Sequence, residues 1–268
     1  MKLAVIIPAA GSSGRYFRAG GVRGKLEEDM GGKPLIQRTV ETFTRFDDDD
    51  VTVAPIIVAG PHAGEARDQF RERHADRLAL LGARVVDGGV THRWETVKAA
   101  LAHVPDECTH VAVHDAARPC MSFELLGRVL RAARTHDAVI PGVSCADTLK
   151  RTREEAGGAQ EHDPLDAILG TQVRAVATRV VIETLPREGV VLVQTPQVFK
   201  LGLLRRAYEQ PGLDSTDDAG LVERLGVPVH VVEGEPRNIK VTVPADVSLA
   251  RSIMGFREPE GRATHKKF

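Results

Sequence analysis

Val111-Ala112-Val113-His114-Asp115-Ala116-Ala117-Arg118-Pro119 is the stretch on which the fold turns. Val111–Val113 reads as a buried strand, and the amphipathic segment Ser122–Thr135 reads as the helix that follows it. A corner of small and polar residues at the carboxyl end of a strand is where open α/β sheets hold their ligands. Ala116 and Ala117 let a ligand approach the backbone, while Arg118 either clamps a phosphate or anchors the loop. Taken alone, a capping aspartate beside a surface arginine accounts for the corner equally well.

Working outward, strand and helix signals alternate. Leu3–Pro8, Val53–Ala59, Arg84–Asp87, Val111–His114 and Ala138–Val143 are short apolar or β-branched runs. Between them lie helical patterns at Pro34–Phe46, Ala63–Leu81, Thr91–His103 and Ser122–Thr135, with Pro34 suited to a first helical turn and Ser122 to an N-cap. This rhythm predicts a mostly parallel sheet with helices on both faces. It breaks after Val143. Residues 144–189, with Gly157-Gly158, the polar run Gln160–Asp166 and the weakly apolar stretch Ala175–Leu185, read as a hairpin arm leaving the sheet. Order resumes with strand Val190–Val193, helices Lys200–Gln210 and Thr216–Leu225, strands Val229–Glu233 and Lys240–Val243, and a closing helix Pro244–Phe256. The expectation is one domain over residues 1–256, with an arm at about 147–187 and a flexible tail at 257–268.

Composition narrows the function. The chain has 268 residues, 27% of them charged and 42% hydrophobic, as in ordinary globular enzymes. A net charge of −1 supplies no broad basic field for nucleic acid, and 4% aromatic residues supply no stacking platform. The three cysteines, Cys108, Cys120 and Cys145, lack CxxC spacing and read as reduced thiols. Leu3–Ile7 is too short for a signal peptide, and no run reaches membrane-spanning length, so the expected location is the cytoplasm. Asp47–Asp50 reads as a solvated acidic loop rather than a metal site.

The first strand ends in Pro8-Ala9-Ala10-Gly11-Ser12-Ser13-Gly14-Arg15. Small residues there free backbone N–H groups to cradle phosphate or a base edge. No Gly-Lys-Ser/Thr closes the loop as in a Walker motif, and Ser13 breaks the dinucleotide pattern GxGxxG. The loop continues through Gly20-Gly21 and Gly24 to Lys25 and reads as a mobile lid carrying Arg15 and Lys25 over a polyphosphate.

With Val86-Asp87-Gly88-Gly89, Asp147-Thr148-Leu149-Lys150, Thr195-Pro196-Gln197, Thr216-Asp217-Asp218-Ala219 and Asn238-Ile239-Lys240-Val241-Thr242, these stretches form seven motifs. Together and in order, they resemble the cytidylyltransferases that act on 2-C-methyl-D-erythritol 4-phosphate. The resemblance implies a Rossmann-like nucleotidyltransferase fold with a protruding dimerisation arm. It also implies a reaction of CTP with the alcohol phosphate, Mg²⁺ carried mainly by the nucleotide phosphates with no protein metal ligand, and a homodimer. By position, Arg15 and Lys25 match residues that stabilise charge on the reacting phosphates, and Arg187 and Lys240 match those that hold the attacking phosphate. Thr148, Thr195 and Thr216 match hydroxyls of the alcohol pocket. Asp115 and Ala116 match the sugar-alcohol side, and Ala9, Ala10, Gly11, Gly89 and Thr96 match the cytidine pocket. A phosphate monoester is already an anion, so no activating base is needed, and His114 reads as structural.

The chain departs from the family in several places. Ser13 replaces a common glycine, one extra residue follows Gly88-Gly89 before Arg93, another lies between Val143 and Asp147, and the segment between Lys150 and Arg187 is about twenty residues longer than the motif spacing implies. A ribitol-5-phosphate cytidylyltransferase shares almost every motif and stays an alternative. A nicotinamide-dependent oxidoreductase is a remote one, because GxGxxG and the acid after the second strand are both missing. A catalytically dead binding module would be expected to lack Arg15, Lys25 or Lys240, and all three are present.

Overall fold

Leu3 to Ile7 are fully buried, so β1 (Lys2–Pro8) belongs inside a sheet covered on both faces. The computed structural model describes residues 1–154 and 178–256. In it β1 pairs in parallel with β2 (Thr52–Gly60) on one side and with β4 (His110–Val113) on the other. β2 continues to β3 (Ala83–Asp87). Beyond β4 come β9 (Gln197–Lys200), β5 (Ala138–Ser144) and β10 (His230–Glu233), giving the order β10-β5-β9-β4-β1-β2-β3.

Side chains of a strand alternate between faces, and β1 feeds two cores in that way. Leu3, Val5 and Ile7 pack with residues of α2 (Leu35–Thr44), α3 (Gly64–Ala79) and α5 (Phe123–Ala133). Ala4 and Ile6 pack with residues of α4 (Arg93–Leu101), α6 (Leu201–Tyr208) and α7 (Asp218–Glu223). The sheet is therefore doubly wound. The strand order reverses between β1 and β4, so the loops leaving their carboxyl ends diverge and open a crevice. Those loops are Ala9–Ser13 and His114–Pro119.

Most predicted elements stand within a few residues of their expected ends, and Ser122 caps α5 by accepting the Leu125 N–H at 3.0 Å. Two readings need correction, and one strand has no counterpart in the sequence analysis. That strand is Gln197–Lys200, antiparallel to β4 and β5. Four residues are too few to show a period. Lys240–Val243 is not a strand. Val241 N–H bonds the Ala117 carbonyl at 2.8 Å, but no ladder forms around it, and the chain passes directly into α8 (Pro244–Ile253). Finally, the stretch read as a lid contains a short helix, α1 (Gly14–Arg18), and a 3₁₀ turn at Lys25–Glu27. Its Tyr16 is buried in a third hydrophobic cluster, which a free lid would not be.

The chain divides into two units, Met1–Val143 with the chain from Val193 onward, and Ser144–Leu192. In the second, β6 (Leu149–Glu154) and β7 (Arg179–Leu185) form an antiparallel hairpin, with an irregularity between Arg151 and Thr152. β8 (Val191–Val193) follows. Gly157-Gly158, Gln160–Asp166 and the predicted tail lie outside the described residues.

Ser13 enters α1 with φ 55° and ψ 22°, the left-handed region, and among the described residues it alone does so without being glycine. That backbone costs an L-residue about 1–2 kcal/mol, and glycine's extra chain entropy cancels about half. Ser13→Gly is expected to stabilise the protein by about 0.5–1 kcal/mol, a rise of about 2 °C in melting temperature. Thermal unfolding checks this, and an unchanged or lower midpoint would mean that the serine side chain offsets the strain.

Candidate active site

Three strand ends build the site. After β1, the Ala9 N–H still donates to the Ala59 carbonyl at 2.7 Å, so the sheet claims that amide. The next four, Ala10 to Ser13, donate to no described protein group. A run of unclaimed amides with a left-handed residue at its end is the arrangement that binds anions. After β3, the Gly88 N–H bonds the Gly60 carbonyl at 2.8 Å, and Thr96 Oγ1 accepts the Gly89 N–H at 3.1 Å. A Cβ on Gly89 would lie 2.1 Å from that of Glu95, so only glycine fits. In Val90–His92, which leads into α4, the Glu95 carboxylate accepts the Thr91 and His92 N–H groups at 2.7 and 3.1 Å. Gly89, Arg93 and Thr96 still face one cavity.

That cavity is about 210 Å³. Ala9, Ala10 and Gly11 line one wall, Gly89 and Thr96 another, and Asp115, Ala116, Lys25 and Lys240 a third. A second cavity of about 400 Å³ shares Arg93, Asp115 and Lys240 with the first and adds Thr195, Thr216, Gln197 and Asp217. Eleven of the fourteen residues singled out in the sequence thus line two connected spaces. Arg15 is exposed and lines neither, although its charge acts on Lys25. Thr148 and Arg187 belong to the second unit, where both are exposed and the Arg187 guanidinium donates to the Ala146 carbonyl.

The charges are organised about Asp115. Its carboxylate lies 2.8 Å from Lys240 Nζ, 3.4 Å from Arg118 Nε and 3.7 Å from Arg93 Nε. Burial alone would raise its pKa, but Lys240 and then Arg93 outweigh burial and hold it far below the usual carboxylate range. Lys25 is pushed the other way: burial first, then repulsion from Lys240 and Arg15, lowers its pKa. The pocket carries an unspent positive field that a polyanion would relieve.

Arg118 resolves as an anchor. It pairs with Asp115, and Nη1 donates to the Asn238 carbonyl at 2.6 Å. Asn238 Nδ2 in turn donates to the Thr195 carbonyl at 2.9 Å, and Thr195 Oγ1 accepts the Asp115 N–H at 3.0 Å. Because β9 runs antiparallel, it delivers its beginning, not its end, to this edge of the sheet, and so brings Thr195 here. Gln197 then ties in the Thr216 loop, its Nε2 donating to Asp217 Oδ2 at 2.7 Å and its Oε1 accepting the Ala219 N–H at 3.0 Å.

The sequence reading missed Asp218. It is fully buried, 2.8 Å from Arg93 Nη2, and accepts the Tyr208 hydroxyl. The adjacent motif letters hinted at it, but nothing local distinguishes Asp218 from its capping neighbour Asp217. His114 is structural as read, with Nε2 against the Arg118 carbonyl at 3.1 Å and Nδ1 against Thr195 Oγ1 at 3.2 Å.

Among the described residues, no group of three or more His, Cys, Asp or Glu is placed to hold a metal ion. Asp115, the one carboxylate lining the first cavity, already faces three cations. This donor set suits a divalent ion that arrives on triphosphate oxygens. No helix among the described residues is long and apolar enough to cross a membrane.

The family model for 2-C-methyl-D-erythritol 4-phosphate cytidylyltransferase matches residues 3–165 and 164–256. A protein of that name from Frankia casuarinae is 38% identical over 96% of this chain and 83% of its own length. Another, from Solibacter usitatus, is 35% identical over 98% and 99%. The crystal structure of the Thermus thermophilus cytidylyltransferase of this name superposes with a TM-score of 0.65 at 31% identity, covering 94% of this chain and 98% of the other.

Burial pushes the His114 imidazole down to about 4, against 6.5 when free. Between those values the unfolded chain takes up a proton that the fold refuses. The stability from this group is therefore complete above pH 6.5 and lost as pH falls toward 4, by about 3 kcal/mol at most. Urea unfolding from pH 7.5 to 4.5 should show this loss, and His114→Gln should flatten it. An equal slope in the variant would assign the loss to other groups.

Proposed function

This chain belongs to the 2-C-methyl-D-erythritol 4-phosphate cytidylyltransferase family, and on that premise we propose that it joins CTP and 2-C-methyl-D-erythritol 4-phosphate, releasing pyrophosphate. The product is the 4-diphosphocytidyl alcohol of isoprenoid precursor synthesis. The observation that carries the reading is the pairing of an unclaimed amide loop with a cationic cluster around Asp115, both lining one pocket.

The reaction needs no activating base. The acceptor's phosphate oxygen is already ionised, attacks the α-phosphorus of CTP in line, and forms the new P–O bond as the bond to pyrophosphate breaks. Pyrophosphate leaves with that electron pair. Negative charge builds on the α-phosphate and the departing group, so catalysis is positioning plus electrostatic stabilisation. Lys25 and Arg15 meet the developing charge. Lys240, oriented by Asp115, holds the attacking phosphate together with Arg187. Ala9, Ala10, Gly11, Gly89 and Thr96 receive the cytidine, a base read through backbone groups beside small residues. Thr148, Thr195 and Thr216 offer hydroxyls to the alcohol, with Asp115 and Ala116 beside it. Mg²⁺ bound to the triphosphate would neutralise charge on the leaving group. His114 takes no part, since both ring nitrogens are engaged and it stays neutral at pH 7.

Turnover with CTP, Mg²⁺ and each alcohol phosphate tests this. We expect 2-C-methyl-D-erythritol 4-phosphate to be used and ribitol 5-phosphate to be a poor acceptor; the reverse preference would overturn the assignment. In the same assay Lys25→Ala should lower kcat by about a hundredfold or more. A wild-type kcat with only a raised KM for CTP would reassign Lys25 to ground-state binding.

The reading extends to a homodimer in which Arg187 serves the partner's site. Val180, Val181 and Ile182 on β7 are exposed apolar residues that suit a partner surface. Lys25→Ala and Arg187→Ala homodimers should each be nearly inactive. Mixed dimers would place both defects at one site and neither at the other. Random exchange of equal amounts should then restore about a quarter of the sites. No recovery after verified exchange would mean that Arg187 acts within its own chain.

A further inference from the structure

Two cores flank the sheet, but the third cluster does not belong to it. Tyr16, Met30, Leu35, Ala117, Cys120, Val241, Val247 and Ala250 form it, with Leu26 and Phe256 packed alongside. Four of these residues each follow directly on one that bears on the pocket. Tyr16 follows Arg15, Leu26 follows Lys25, Ala117 follows Ala116, and Val241 follows Lys240. The cluster is the floor to which the pocket's charged groups are bolted.

One polar contact closes this floor over the loop that carries Arg15 and Lys25. Tyr16 is 2% exposed, and its hydroxyl donates to Glu28 Oε1 at 2.9 Å. Arg251, from α8, lies 4.0 Å from Glu28 Oε2 and donates to the Asp29 carbonyl at 2.8 Å. Around the ring the chain doubles back, with the Gly21 N–H on the Tyr16 carbonyl at 3.1 Å. A Cβ on Gly21 would meet the Tyr16 ring at 2.2 Å. Arg38 straps the far end through the Met30 and Gly31 carbonyls at 2.8 and 2.7 Å. In sequence, Arg15 directly precedes Tyr16 and Lys25 lies three residues before Glu28, so the Tyr16–Glu28 contact ties together the two ends of the segment that carries both cations.

We propose that the Tyr16–Glu28 hydrogen bond, braced by Arg251, is a latch that positions Arg15 and Lys25 for the reacting phosphates. Tyr16 and Glu28 are then positioning residues, not catalytic ones. The proposal rests on the cytidylyltransferase reading only for its kinetic arm. Loosening the latch misplaces cations whose work is done as charge develops, while the small-residue walls that take the base keep their shape. Tyr16→Phe keeps the ring and removes the donor. Glu28→Ala removes the acceptor. Glu28→Gln keeps an accepting oxygen and loses the charge.

Tyr16→Phe and Glu28→Ala should each lower kcat about tenfold, within the range that a small misplacement costs. KM for CTP should stay within about twofold, and the melting temperature within about 4 °C of the parent. The double variant should be no worse than either single one, because one contact is lost only once. Glu28→Gln should recover most of kcat. A readout independent of activity is trypsin cleavage after Arg18 and Arg23, both exposed in this loop. Cleavage should be several-fold faster in Tyr16→Phe and Glu28→Ala and near the parent rate in Glu28→Gln. Additive losses, losses that track the melting temperature, or unchanged cleavage would overturn the latch. If the parent shows no cytidylyl transfer, the functional reading fails, and cleavage alone still decides the latch.

Discussion

The buried carboxylate of Asp115 is the interaction on which the site depends. It sits where β4 ends, beside the reversal in strand order, and three cations from three segments converge on it. Lys240 comes from the chain entering α8, Arg118 from the loop itself and Arg93 from the start of α4. Without this anion those cations would face each other in a half-buried pocket. Removing one partner of a buried ionic group typically costs about 3–5 kcal/mol, because the remaining charges are left uncompensated. The segments are also stitched by neutral bonds through Asn238, Thr195 and Gln197, so the carboxylate's position is over-determined. Such redundancy suits a site whose work is electrostatic, since preorganised charges need no reorganisation during the reaction.

The framework was legible in the sequence because its signals are local. β1 reads as a strand from five consecutive apolar residues, and α5 from its period and its serine cap. The failures have a common cause. Gln197–Lys200 is a strand because β4 and β5 flank it, not because four residues prefer extension. Lys240–Val243 has the composition of a strand, but one hydrogen bond to Ala117 is all the pairing it finds. Tertiary context decides both.

The site divides in the same way. Positions fixed by their own backbone, such as Gly89 with no room for a Cβ, lie within the motifs that carry the family resemblance and were singled out through it. Residues whose role follows from a partner were not. Asp218 matters through Arg93, which lies far away in sequence, and Arg118 turned from possible clamp to anchor only once the Asn238 carbonyl stood opposite it. The glycine-laden stretch from Gly11 to Lys25 misled for a related reason. Glycines advertise backbone freedom, whereas the buried Tyr16 removes it.

That last point bears on how the site meets its ligand. Burial first, and then repulsion from Lys240 and Arg15, lower the pKa of Lys25, so this cation is held away from water and near others of its sign. A site that let them relax apart would have to regather them each time a polyphosphate arrived, and part of the binding energy would be consumed in doing so. The third cluster prevents this by spreading the restraint over apolar contacts beside the pocket, whose wall Leu26 and Ala117 also form. The repulsion is thus held in the free protein, where an arriving anion relieves it. The same small core that makes the loop look unlike a lid is what lets a chain of nearly zero net charge present a concentrated positive field at one place.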